Sequence, residues 1–136
     1  MAETIARNIA PWSEYDSCGL AAGFGAQMSS GARAAMKQMG FDGTKHASKP
    51  ISEELLNWAE IILTMTPTHK TIILKILESK ELTEVSVYTI GEYAGETAEI
   101  FDPYGQSNEI YALCALEIRR LLEAAFGDKK CETLKI

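Results

Sequence analysis

The sequence has little that would suit it to nucleic acids or membranes. Its 136 residues include 13 lysines and arginines against 19 aspartates and glutamates, for a net charge of −6. Nucleic acids and anionic membrane surfaces attract basic proteins, so we expect neither as a partner. No apolar run reaches the ~18 residues that indicate a membrane span.

Cysteine and histidine are also scarce. Cys18, Cys114 and Cys131 form an odd set without the short spacings of zinc ligands, and there are only two histidines. The glycine-rich stretch 21–27 has neither G-x-G-x-x-G nor a Walker lysine, so it does not favour nucleotide binding. We expect a reduced, cytoplasmic protein without a cofactor.

What the sequence does contain is an alternation of helical and strand patterns. Strands are predicted at Ser13 to Leu20, Glu60 to Met65 and Val85 to Ile90. Helices are predicted over residues 1–10, from Ser29 or Ser30 to Gly40, from Ser52, from Thr66-Pro67, and from Ser107 to Gly127. Alternating elements indicate an α/β domain with a parallel sheet over residues 1–126, followed by a C-terminal tail at 127–136.

Two of the predicted helices carry long apolar stripes that we expect to face the core. In the helix after Thr66-Pro67 the stripe is Ile72, Ile73, Ile76 and Leu77. In the last helix it is Ile110, Leu113, Cys114, Ile118, Leu121, Leu122 and Ala125.

The stretch 98–105 is the strongest candidate for a functional loop. Pro103 biases Asp102 toward an extended conformation, which keeps this carboxylate on a stiff loop beside the aromatic Tyr104. A loop acid next to an aromatic ring can serve as a general acid with a binding wall. The alternative is an ordinary turn, since Asp-Pro and glycine are common turn residues.

Several motifs, in order and spacing, resemble the low-molecular-weight protein-tyrosine phosphatases and their bacterial arginine-phosphatase branch. The matching segments are Met1-Ala2-Glu3, Asp16 to Leu20, His46 to Lys49, Glu60 to Thr66 with His69-Lys70, Thr89 to Gly95, and Asp102-Pro103-Tyr104-Gly105. The resemblance implies a three-layer fold: a short parallel sheet with helices on both faces. It also implies a phosphorylated protein as the substrate.

The resemblance further implies roles for four residues. Asp102 takes the general-acid position, protonating the leaving group and then activating water against a cysteinyl-phosphate. Tyr104 walls the entrance and stacks on an aromatic substrate, and Ser17 and His46 support the phosphate loop. For Ser17 and His46 the alternatives are a satisfied strand-end hydroxyl and a solvated loop histidine.

The family's defining element has no counterpart in these 136 residues. It is a first, central strand followed by a loop with the pattern C-x5-R, whose cysteine attacks phosphorus. Cys114 and Arg120 have this spacing, but no glycine separates them and they fall within a helical pattern. We therefore interpret Cys114 as a core cysteine.

Three hypotheses remain open. The chain belongs to a phosphatase lineage and is inactive by itself, or it is a non-catalytic binding or regulatory protein, or it is a purely structural α/β domain. In the family's 2-1-3-4 sheet the absent strand is central, so its loss would leave backbone groups unpaired. We expect a homo-oligomer, because a second copy can cover the exposed surface.

Overall fold

The computed structural model describes residues 1–127 and has an α/β architecture. Residues 128–136 of the predicted tail lie outside the described residues. The helices are α1 (Ala2–Ile9), α2 (Ser30–Gln38), α3 (Glu53–Trp58), α4 (Pro67–Ser79), α5 (Ile90–Tyr93) and α6 (Asn108–Phe126), and the strands are β1 (Ile61–Thr64) and β2 (Ser86–Thr89).

Short-range signals set the starts of three helices as predicted, whereas Ser107 precedes α6 without a capping hydrogen bond from its side chain. The side chains of Ser29, Ser52 and Thr66 each accept a hydrogen bond from the backbone N–H three residues later, at the starts of α2, α3 and α4. Such caps satisfy donors that the first helical turn leaves unpaired. Gly40 ends the α2 region with a φ of +79°, which glycine adopts without steric cost.

The two strands are parallel, with Ile61 opposite Ser86 and Thr64 opposite Thr89. Helix α4 connects them, as parallel neighbours require a long crossover. The side chains of β1 pack against apolar clusters on both faces: the partly buried Ile61 and Leu63 contact one buried cluster and the partly buried Ile62 contacts another. This arrangement confirms the predicted α/β fold with a short parallel sheet.

The larger cluster joins α1, α2, α5 and α6 and contains Ile5, Met36, Ile90 and Leu121, none of them more than marginally exposed. The smaller cluster joins α3, α4 and β2 through Leu56, Ile73, Leu77 and Val87. Helices therefore cover the sheet on both sides.

The predicted strand at Ser13 to Leu20 was wrong: within residues 1–127 this segment forms no strand. It makes isolated bridge contacts instead, one of them between Gly19 and Pro50, where the Gly19 N–H donates to the Lys49 carbonyl at 3.0 Å. Side chains hold the rest, since Tyr15 is buried and its hydroxyl donates to the Ala10 carbonyl at 2.8 Å. An extended, apolar-polar pattern becomes a strand only where a neighbouring strand can pair with it.

Three further expectations about boundaries and burial were also wrong. Ile90 was predicted to end the strand that starts at Val85, but it is the first residue of α5. Ile72 and Leu113 were predicted to face the core but are 40% and 59% exposed. A helix turns about 100° per residue, so Ile73 and Cys114 bury their side chains while their immediate neighbours point elsewhere.

Candidate functional site

The loop carrying Asp102 is tied to the rest of the fold on both sides. The Ile100 N–H donates to the Met65 carbonyl, just beyond the end of β1, at 3.0 Å. The Cys114 thiol in α6 contacts the Phe101 carbonyl at 3.6 Å. These contacts place Asp102 at the carboxyl end of β1, the edge at which α/β proteins commonly bind ligands.

The Asp102 side chain orders its own loop. Its Oδ1 accepts a hydrogen bond from the Tyr104 N–H at 3.0 Å, and Gly105 takes a positive φ of +78° two residues later. Tyr104 itself is 79% exposed, so its ring is available to a binding partner. The segment is thus a turn, and the turn presents a carboxylate and a free aromatic ring together.

Ser17 and His46 meet at Glu3, a residue to which the sequence assigned no role. The Ser17 hydroxyl donates to Glu3 Oε2 at 2.6 Å, and His46 Nδ1 lies 3.5 Å from the same oxygen. Arg7 Nε donates to Glu3 Oε1 at 3.0 Å. Only the Glu3–Arg7 spacing is a sequence signal, because the other two contacts join residues far apart in the chain.

A second ion pair holds the same loops. Lys49 Nζ lies 2.7 Å from Asp16 Oδ1, and that carboxylate also accepts the Ser17 N–H at 2.7 Å. The segments 16–17 and 46–49 are therefore joined to each other and to the first turn of α1. The Ser17 hydroxyl itself is satisfied by Glu3, as one of the two interpretations of this residue predicted. A supporting role for Ser17 stays a prediction.

A cavity of about 470 Å³ lies between α1, β1 and the Asp102 loop. Asp102 and Ser17 both line it, whereas His46 reaches it through Glu3 and Tyr104 stands outside the lining. Three carboxylates border the cavity, from Glu3, Asp16 and Asp102. Within residues 1–127 its walls include no lysine or arginine side chain.

Comparison with known proteins identifies the fold and the family. The family described as low molecular weight phosphotyrosine protein phosphatase matches residues 1–134. The chain is 31% identical over 123 residues to the low molecular weight protein-tyrosine-phosphatase PtpB of Staphylococcus epidermidis, covering 90% of this chain and 84% of that protein. The chain belongs to the low molecular weight phosphatase family.

Relatives from the arginine-phosphatase branch are equally similar. A protein-arginine-phosphatase of Geobacillus stearothermophilus is 30% identical over 115 residues, which cover 83% of this chain and 74% of that protein. The solved structure of a YwlE mutant from Bacillus subtilis superimposes with a TM-score of 0.85 at 28% identity, covering 96% of this chain and 88% of that one. The predicted resemblance to low molecular weight phosphatases is confirmed.

The thiols of the described region lack the environment that activates a cysteine. Burial raises the pKa of Cys114, with a smaller raising effect from Asp102 and an opposing one from the N-terminal ammonium group. Burial also raises the pKa of Cys18, and the Asp16 carboxylate adds to the rise. A nucleophilic cysteine of a low molecular weight phosphatase would need the opposite shift.

The C-x5-R spacing of Cys114 and Arg120 is not a phosphate loop. Cys114 is 1% exposed within α6, which confirms its interpretation as a core cysteine. The Arg120 guanidinium binds Glu96 through two nitrogens and also pairs with Glu117. Its donors are therefore engaged on the surface, on a carboxylate cluster that would repel phosphate.

No group of side chains within residues 1–127 is arranged to hold a metal ion. Within the same residues, none of the helices combines the length and the apolar character that crossing a bilayer would require.

Proposed function

We propose that the chain carries the general-acid part of a low molecular weight protein phosphatase and does not hydrolyse phosphate esters by itself. The observation that supports this is the cavity beside Asp102, which three carboxylates and no lysine or arginine of the described residues line. Phosphoryl transfer depends chiefly on positive charge and N–H donors around the phosphoryl oxygens. Arg7 and Lys49 are already paired with Glu3 and Asp16, so a phosphate placed here would meet the Asp102 carboxylate without a compensating cation among the residues that line the cavity.

In the proposed chemistry, the family's cysteine attacks phosphorus and the oxygen or nitrogen of the leaving group departs with the P–O or P–N electron pair. Asp102 supplies the proton to that leaving atom and then takes a proton from the water that hydrolyses the cysteinyl-phosphate. Tyr104 stacks on the substrate side chain. Glu3 holds Ser17 and His46 at the base of the site.

The proposed substrate is a phosphorylated protein, with phosphotyrosine and phosphoarginine as the two candidate side chains. The relatives carry both names, protein-tyrosine-phosphatase and protein-arginine-phosphatase. The protein is further proposed to be cytoplasmic and to self-associate. Self-association is supported by the exposed Leu113 and Leu116, which lie three residues apart on α6.

A non-catalytic binding or regulatory protein is the second candidate. The free ring of Tyr104 and the ordered Asp102 turn favour it, since both are available for contacts without any nucleophile. The DNA upstream of the Met1 codon distinguishes the two candidates. An in-frame strand followed by C-x5-R would favour the enzyme, and its absence would favour the binding protein.

Activity on para-nitrophenyl phosphate tests the main proposal. We expect no turnover above background from the 136-residue chain, because removing the nucleophile from a catalytic unit costs orders of magnitude in rate. Turnover that persists in both Asp102→Ala and Cys114→Ser would contradict the proposal, since neither the proposed acid nor the buried thiol would then be needed.

Calorimetry with phosphate and vanadate provides a second test that needs no catalysis. We expect no saturable site below millimolar concentration, because the helix starts of the described region offer only weak dipole interactions. A tight site would mean that another set of groups binds phosphate, and the proposed inactivity would lose its basis.

A further inference from the structure

Carboxylates neutralise many of the cations in the described region, but not those around the end of α2. Ion pairs of 3.0 Å or shorter are made by Arg7, Lys49, Lys70, Lys80, Arg119 and Arg120. No carboxylate of residues 1–127 lies within 4.0 Å of the other cations there, Arg33, Lys37, Lys45 and Lys75. The first three of these are close together in the chain, whereas Lys75 is on α4.

A groove of about 300 Å³ lies between α2 and the loop that follows it. Arg33, Ala34 and Lys37 line this α2 groove from the helix, and residues 41–44 line it from the loop. Arg33 and Lys37 are exposed and lie one helical turn apart, so their side chains project from the same face of α2. Like charges at this spacing repel each other, and an anion bound between them would relieve that repulsion.

The loop side of the α2 groove is held against the helix. Gly40 has a positive φ of +79°, and the Phe41 N–H donates to the Met36 carbonyl at 2.9 Å, so the chain folds back over the end of α2. Gly43 is buried, and a Cβ there would lie 3.0 Å from the Met28 sulfur. The half-buried Phe41 packs on the larger apolar cluster and gives the groove an apolar wall. A groove that is formed before binding costs less conformational entropy to occupy.

Asp42 is the carboxylate on the lining of the α2 groove, and its own loop engages it. Its Oδ1 accepts hydrogen bonds from the Thr44 hydroxyl at 2.6 Å and from the Thr44 N–H at 2.9 Å. These bonds hold the pKa of Asp42 below its ordinary value, and the nearby Lys45 charge acts in the same direction. With Lys45 beside Asp42, the cations around the groove outnumber this carboxylate.

The local excess of positive charge belongs to a chain whose net charge is −6. Charges more than about 10 Å away are largely screened at 0.1 M ionic strength, so the groups near the groove decide which ligand it attracts. The cations are spread over a helix and a loop, which suits an extended chain with several carboxylates better than one compact anion. Phe41 suits an apolar side chain among those carboxylates.

We propose that the α2 groove binds an acidic segment of a partner protein, whose carboxylates pair with Arg33, Lys37 and Lys45 and whose apolar side chain covers Phe41. Among the described residues, the groove and the cavity beside Asp102 share no lining residue. The binding therefore goes beyond the proposed phosphatase role and is measured without a catalytic readout.

The test uses a fluorescent peptide in which a leucine is flanked on each side by a glutamate and an aspartate, measured by anisotropy against the intact 136-residue chain. One matched peptide carries glutamine and asparagine in place of the acids, and another carries glycine in place of the leucine. We expect saturable binding of the first peptide, weaker binding of the glycine peptide and no measurable binding of the uncharged one. Raising the ionic strength from about 0.01 M to about 0.1 M should weaken binding, since the screening length falls from about 30 Å to about 10 Å. Equal binding of the uncharged peptide would overturn the proposal.

Charge-neutralising substitutions test the α2 groove itself. Arg33→Gln and Lys37→Gln should each weaken the acidic peptide about two- to fivefold, as expected for solvent-accessible ion pairs. Lys75→Gln is the matched control, because Lys75 is also exposed and without an ion pair among the described residues but lies on α4. It changes the net charge by the same amount and should leave binding unchanged. Equal weakening by Lys75→Gln would mean that net charge, and not the groove, attracts the peptide.

Amide chemical shifts locate the bound peptide. We expect the peptide to move the signals of Phe41, Gly43 and Thr44, which line the groove, and to leave those of the loop 102–105 unchanged. Shifts confined to the loop 102–105 would overturn the proposal.

Two other occupants of the α2 groove are tested directly. A single-stranded oligonucleotide that binds more tightly than the acidic peptide and is displaced by it would replace a protein partner with a nucleic acid. Sedimentation of the wild type and of Lys37→Gln tests a second copy of this chain. An oligomer that is lost in Lys37→Gln would assign the groove to self-association and would overturn the proposal, whereas equal sedimentation of both chains supports a separate partner.

Discussion

The hydroxyl of Ser17 donates a 2.6 Å hydrogen bond to Oε2 of Glu3, joining the first turn of α1 to a loop 14 residues away. The same carboxylate accepts a hydrogen bond from the Arg7 guanidinium and lies near the His46 ring. Glu3 therefore contacts both side chains for which a supporting role is predicted, and replacing Glu3 should disturb both.

We expect Ser17→Ala to lower the free energy of unfolding by about 1–2 kcal/mol. The bond is to a charged acceptor that is largely withdrawn from solvent, since the Glu3 side chain is 18% exposed. A double-mutant cycle with Glu3→Gln, followed by urea unfolding, should give a non-zero coupling energy. Ser79→Ala, which removes an exposed hydroxyl at the end of α4, is the control and should change stability by less than ~0.5 kcal/mol.

The packing of Gly91 against the functional loop leads to a second prediction. A Cβ at this position would lie 2.1 Å from the Ala98 carbonyl oxygen, a backbone atom that cannot rotate away. Gly91→Ala should therefore destabilise the protein by about 1–3 kcal/mol despite the better helix propensity of alanine.

The measurement for Gly91 is thermal or urea unfolding, together with amide exchange at Ile100, whose bond to Met65 holds the loop. Gly23→Ala is the matched control, because a Cβ there meets nothing within 4 Å. Similar stability in both variants would mean that the 98–105 loop moves aside without cost.

The buried thiol of Cys114 should make stability fall at alkaline pH. Its pKa is raised above the ordinary value of 9.0 in the folded state, chiefly by burial. The unfolded chain then loses its proton first and binds fewer protons than the folded chain, so the free energy of unfolding decreases as pH rises above about 9 and until the folded pKa is passed.

Urea unfolding at pH 8 and pH 10 measures this dependence. Cys114→Ala should reduce the loss of stability between the two pH values, and Cys18→Ala should also reduce it, because burial and the Asp16 carboxylate raise the pKa of that thiol in the same direction. Tyr15 has a pKa raised by burial as well and contributes in the same direction, so a residual slope is expected in both variants. An unchanged slope in Cys114→Ala would show that this thiol is not protected in the folded state.

Self-association is the fourth prediction. Leu113 and Leu116 are 59% and 55% exposed on one side of α6, an apolar surface that a second copy can cover. Sedimentation velocity at micromolar concentration should detect an oligomer, and the double variant Leu113→Lys, Leu116→Lys should shift it to monomer. Leu74→Lys, at an exposed leucine of α4, should not. A wild-type chain that sediments as a stable monomer would contradict the prediction.

The sequence alone determined the features that depend on neighbouring residues. Caps at Ser29, Ser52 and Thr66 act over three residues, and the apolar run before Thr66 predicted a strand covered on both faces. The turn at Asp102 was also open to prediction, because Pro103 and Gly105 constrain the backbone locally. Motif order was sufficient to recognise the low molecular weight phosphatase family.

The tertiary structure decided what depends on long-range contacts. It determined that Ser13 to Leu20 forms isolated bridges and no strand within the described residues, because a strand needs a partner whose position the segment does not encode. It turned Ile72 and Leu113 outward, because the packed neighbours cover only part of each helix. It brought Glu3 to Ser17 and His46, and it opened a cavity along β1, because such geometry arises only when separate elements pack together.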